Sequence, residues 1–144
     1  MRLIRFSQNQ NAHILRYRTL KSNLYPEICR LADQNPHGVL GVTSYKNSKD
    51  IYYYIAAATD EPVPVGMVES TIPAATWVIF ECDGHFQESI QAIFKRFLTE
   101  WLPFSGYEYA ELPDIEVYPI SDPQSKGGHS EVWIAVKKAT SQEY

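Results

Sequence analysis

A chain of 144 residues fits one domain, or two small repeats fused into one. Its 44% hydrophobic and 21% charged residues argue against disorder, and apolar runs such as VWIAV and YYYIAAA are too short to cross a bilayer. The net charge of −4, from 13 basic and 17 acidic residues, comes without a Lys/Arg run to track a phosphate backbone, so no DNA binding by this chain alone is expected.

Residues 1–11 read as a lead-in, because SQNQN is polar and unpatterned. MRLIRFSQNQ has basic residues but no apolar run behind them, so no signal peptide is read there. From Ala12 the pattern turns extended (AHILRYRTL). Asn23 can cap a short helix starting near Leu24, with Pro26 in its first turn and Leu24, Ile28 and Leu31 on one face. DQNPHG ends that helix. VLGVTSY is a strand, KNSK a turn and DIYYYIAAAT a second strand. EPVPVG, with two prolines and a glycine, reads as a connection between halves.

The second half repeats the plan. IPAATWVIFEC is a strand, broken by CDGH. Residues Phe86 to Leu102 form the clearest helix, with Phe86, Ile90, Ile93, Phe94, Phe97, Leu98, Trp101 and Leu102 in one broad apolar stripe and Pro103 as its stop. Tyr107 and Tyr109 then fall in a loop. DIEVYPI and EVWIAVKK are two further strands, joined by SDPQSKGGHS. The expected fold is α+β: a first repeat over 12–60, a connection over 61–71 and a second repeat over 72–138, within one domain spanning 1–144. Each repeat runs strand, helix, strand, strand, with both helices on one side of antiparallel strands.

Alternation gives each strand two faces. Val132, Ile134 and Val136 oppose Glu131, Trp133 and Ala135. Ile115 and Val117 oppose Glu116 and Tyr118. Ile51, Tyr53 and Ile55 oppose Tyr52, Tyr54 and Ala56, and Val78, Phe80 and Cys82 oppose Trp77, Ile79 and Glu81. The aliphatic faces suit packing under helices. The faces with aromatics, most with a carboxylate too, suggest a cleft lined by rings with a carboxylate at its base. Such a site suits a flat apolar cation, each ring contact contributing roughly 0.5–2 kcal/mol. A Glu between Val and Trp on a strand equally suits the wet side of a one-sided sheet. The aromatic content of 13%, with ten Tyr and three Trp, favours a site where an apolar face and a polar tip are both useful.

No phosphate loop, HExxH, CxxC pair or GxSxG elbow is present. His13, His37, His85 and His129 are scattered without ligand spacing, so neither a metal nor a cofactor is expected. Cys29 and Cys82 lie far apart and read as reduced thiols of a cytoplasmic protein.

The run IPAATWVIFECDG, an amphipathic helix ending EWLPFSGYEY, then DIEVYP and SEVWIAVKK together resemble the gyrase-inhibitor-like effector-binding superfamily, over about residues 64–138. Residues 12–60 resemble it only through HGVLGVTSY and the YYYI strand. The resemblance implies two strand–helix–strand–strand units related by a pseudo-two-fold axis, with a hydrophobic, often cationic small molecule bound between the halves. It implies that Glu131 is the acidic residue of the site and that Trp77, Tyr118 and Trp133 line it, with Tyr52 and Tyr54 from the first half. Glu116 is common in the family too. Ala135 departs from a family position that usually carries Pro. The relatives include ligand domains of bacterial AraC-type transcriptional regulators, and most of those carry a preceding helix-turn-helix domain. None is read here, which leaves a standalone sensor or the ligand domain of a longer regulator. A hydrolase using a cleft Glu, or a protein-binding inhibitor, are the alternatives that other relatives imply.

Overall fold

The computed structural model describes residues 1–6, 25–45, 51–82, 92–118 and 130–139. In chain order the elements are β1 (Arg2–Phe6), α1 (Tyr25–Leu31), β2 (Val39–Tyr45), β3 (Ile51–Ala58), β4 (Met67–Thr71) and β5 (Thr76–Cys82). A helical segment over 92–105 follows, containing a π-helical turn at Phe97–Trp101 and closing with α2 (Leu102–Ser105); then come β6 (Tyr107–Tyr109), β7 (Asp114–Tyr118) and β8 (Ser130–Lys138). No described helix is long and apolar enough to cross a membrane.

The described strands form one eight-stranded sheet in the order β4-β1-β3-β2-β7-β8-β5, with β6 also paired to β8. Every pairing is antiparallel. With β1, β2 and β3 matched to β5, β7 and β8, the order β1-β3-β2-β7-β8-β5 reads the same from either end. The pseudo-two-fold relation expected from the element order therefore centres on the β2–β7 pair.

Register sorts the side chains. Ile4, Val39, Tyr53, Ile55 and Ala57 cluster with Ile28 and Leu31 of α1. Val132, Ile134 and Val136, with Val78 and Phe80, cluster with Ile93, Phe94, Phe97, Trp101 and Leu102. The cross-strand partners Gly41↔Glu116 and Glu116↔Val132 put both clusters on the same side of the sheet. Both described helical segments thus cover one face, and the α1 packing extends onto Val39 of β2 and Tyr118 of β7.

Among the described residues no helix packs on the opposite face, yet Leu3, Leu40, Val42, Ile115 and Trp133 are buried there. A flat sheet would hold β4 and β5 about 29 Å apart. Residues 72–75 join Thr71 to Thr76 and can reach only about 18 Å. The sheet must curl until its edges approach. Ile72 lies in that joining segment and is buried among Leu3, Leu40, Ile115 and Trp133, which makes their face the concave one. Its N–H donates to the Met1 carbonyl at 2.9 Å, and the Met1 amino group donates to the Ile72 carbonyl at 2.8 Å, extending the β1–β4 ladder.

Several sequence expectations change. Arg2–Phe6 is a strand rather than a lead-in: Leu3 enters the concave core while Ile4 and Phe6 pack under α1, a pattern that the polar SQNQN after it obscured. The 61–71 connection includes β4, because Met67 packs beside Phe6 and the strand pairs along β1. Pro103 does not stop the helix. The Leu102 N–H bonds back to the Phe97 carbonyl, an i→i+5 step, and this wider turn admits the proline at the start of α2, which runs to Ser105. Leu98 leaves the stripe and is 57% exposed, because Phe97 one residue earlier takes the buried position. Tyr107 and Tyr109 are strand residues: Gly106, at φ 76°, reverses the chain so that β6 pairs with the end of β8. The extended segment from Ala12, the Asn23 cap, Leu24, the KNSK turn, helix residues 86–91 and the SDPQSKGGHS loop up to His129 lie outside the described residues, as do His13 and His85.

Candidate functional site

Five of the seven sequence-nominated residues lie on the concave face. Trp133 and Trp77 face each other across β8 and β5, ring centroids 5.9 Å apart and tilted by 54°. The Trp133 Nε1–H donates to Glu131 Oε1 at 3.1 Å. Glu131 stands directly opposite Glu81 in the register. Trp133 is only 8% exposed and belongs to the concave core, with Trp77 packed against it. Tyr52 and Tyr54 stack at 6.4 Å on β3. The row Tyr54–Val42–Ile115–Trp133 separates them from the tryptophans by three strand spacings, about 14 Å along the sheet. The concave face therefore holds two aromatic pairs with buried aliphatic side chains between them.

Glu116 and Tyr118 lie on the other face, because Ile115, not Glu116, pairs with Trp133. They project from β7 on the side that carries the helices, next to the pseudo-two-fold centre. Two hydroxyls converge on one Glu116 oxygen: Tyr118 donates to Oε2 at 2.5 Å and Tyr53 donates to the same atom at 3.2 Å. Tyr53 comes from β3 and reaches across β2 to do so. Gly41 makes the crossing possible. A Cβ there would stand 2.2 Å from the Tyr53 hydroxyl oxygen and 3.0 Å from Glu116 Oε2. One turn of strand away, Tyr109 donates to Asp114 Oδ1 at 3.0 Å and so fixes the start of β7.

Tyr53 and Gly41 belong to this candidate site, and sequence reading missed both. The signal for Gly41 was a glycine inside the strand VLGVTSY, which marks a close approach of something to the backbone. Tyr53 gave none, since alternation assigned it to the aliphatic face.

The chemistry available differs between the faces. On the helix-bearing face a half-buried carboxylate is oriented by two phenols between two apolar helix packings. Such a group offers a carboxylate with ring surface beside it, the two features that can attract an apolar cation. Among the described residues, no group of three or more His, Cys, Asp or Glu is placed to hold a metal ion.

Residues 11–137 match the family model of the GyrI-like small molecule binding domain. The fold is similar to that of SAV2435 bound to tetraphenylphosphonium, with a TM-score of 0.78 and 17% identity over 95% of this chain and 88% of that one. It is similar as well to a candidate bacterial transcription regulation protein from Staphylococcus aureus MU50, with a TM-score of 0.71 and 16% identity over 95% of this chain and 92% of that one. No curated protein sequence matches the chain.

Proposed function

The chain belongs to the GyrI-like small molecule binding domain family, and on that premise we propose that it is an effector-binding sensor domain for lipophilic cations, acting in bacterial transcriptional regulation. The observation that carries this reading is the convergence of Tyr53 and Tyr118 on Glu116, between the two helix packings at the junction of the repeats. Two phenols hold the Glu116 carboxylate on the helix-bearing face, with the Tyr53 hydroxyl passing over Gly41. A cation with an apolar shell is attracted by that carboxylate while its hydrocarbon surface packs against the flanking rings. Glu131 plays the lesser part in this reading, since its carboxylate accepts the Trp133 indole on the buried concave side. The domain senses the ligand, and DNA contact belongs to a partner domain.

The test is isothermal titration of the chain with tetraphenylphosphonium and, in parallel, with neutral triphenylphosphine oxide. The expected result is saturable binding of the cation at least tenfold tighter than of the neutral compound. Equal affinity for both would remove charge recognition from the account.

A further inference from the structure

The concave face carries a pocket of about 270 Å³ at the end of the sheet where β1, β2, β3 and the end of β4 meet. Its wall is apolar where Val42 and Ile72 contribute and polar where Ser44, Ser70, Thr71 and Arg5 do. Arg5 is the feature that needs explaining. Its guanidinium carbon sits 4.0 Å over the Tyr54 ring, and Nη1 donates to the Phe6 carbonyl at 3.1 Å. Its Nε is shielded from solvent and has no hydrogen-bond acceptor among the described residues. No carboxylate of the described residues forms an ion pair with it; Glu69, on the neighbouring strand, projects to the other face and pairs with Arg2 at 3.0 Å.

Arg5 as a whole is half-buried, but an N–H shielded from water and left without an acceptor is costly, and an acceptor bound in the pocket would relieve that cost. We propose that this pocket is a second ligand site, for a small monocarboxylate with an apolar body. The edge of a guanidinium formed by Nε and an Nη matches the two oxygens of a carboxylate in parallel hydrogen bonds. A carboxylate entering the pocket meets the Arg5 guanidinium, and the second bond requires the guanidinium to turn its Nε edge toward it. Ser44 and Ser70 supply further hydroxyl donors. The Val42 and Ile72 side takes the hydrocarbon part, a wall that a fully hydrated inorganic anion would not use. The site lies on the face opposite Glu116 and prefers the opposite charge, so it is independent of the cation site.

The test follows the Arg Nε–H signals of the whole chain by 15N NMR during titration with benzoate, with benzamide and with inorganic phosphate. The Arg5 signal is assigned by its loss in Arg5→Gln. Benzoate is expected to shift that signal saturably, with benzamide and phosphate each at least tenfold weaker. Arg5→Gln should weaken benzoate at least tenfold, Arg5→Lys should fall between, and Glu116→Gln should leave benzoate affinity unchanged. A wild-type Arg5 signal that does not move with benzoate overturns the proposal, as does undiminished benzoate binding in Arg5→Gln. Phosphate binding as tight as benzoate would overturn the assignment to carboxylates.

Discussion

At the scale of single residues the site turns on an absence. With no side chain at position 41, the Tyr53 hydroxyl can cross β2 and reach Glu116, a residue 63 positions away in sequence. Gly41→Ala should cost about 1–3 kcal/mol, the range for forcing extra volume into a packed site. In a Tyr53→Phe background the same substitution should cost less, because the closest atom is gone while the ring carbon behind it remains at 2.9 Å. Urea denaturation of the two singles and the double checks this; additive costs would contradict the contact. The sequence displayed the alternation of β7 plainly, so Glu116 and Tyr118 were known to share a side. Which side of the sheet that was depended on the pairing of Ile115 with Trp133, and nothing local to DIEVY encodes a partner strand.

Among the elements, the second helical segment shows how far periodicity reaches. Its apolar stripe was legible and so was the face it covers. The π-turn was not, because it arises from the conflict between Pro103 and the backbone four residues earlier rather than from any residue pattern. Phe97 is 1% exposed and meets Phe80 edge-on at 6.1 Å and Trp101 face-on at 5.7 Å. Phe97→Ala should therefore cost about 3–5 kcal/mol, while Leu98→Ala, its exposed neighbour, should stay within about 0.5 kcal/mol. Equal losses in thermal or urea unfolding would place the stripe elsewhere. On α1, the hydrogen bond from Arg30 to Glu27, 2.6 Å long, lowers the Glu27 carboxyl from its ordinary value. A lowered carboxyl adds stability above its ordinary value and loses it as pH falls through the lowered one. Both groups are exposed, so Glu27→Gln should remove only a shallow acid-side decline, measured by unfolding at stepped pH and screened out by salt.

For the whole molecule, the repeat was readable from element order, and the palindromic strand order follows from it. The curl was not readable, since it comes from a joining segment too short to span a flat sheet. Ile72 pins that curl and is buried although it lies in a connection. Ile72→Ala should destabilise by about 2–5 kcal/mol, like a strand residue of the core; a loop-like effect near zero in urea would mean that the edges are held apart by other means. The curl also separates two environments: a concave core on one side and, on the other, the helix-bearing face where Tyr53 and Tyr118 meet Glu116. The most direct measurement is titration of tetraphenylphosphonium into wild type, Glu116→Gln and Glu131→Gln under one buffer. The account predicts that Glu116→Gln loses roughly tenfold or more in affinity, beyond the 0–1 kcal/mol of a surface pair, with Glu131→Gln nearly unchanged. Full affinity in Glu116→Gln together with a loss in Glu131→Gln would move the cation to the concave face and contradict it.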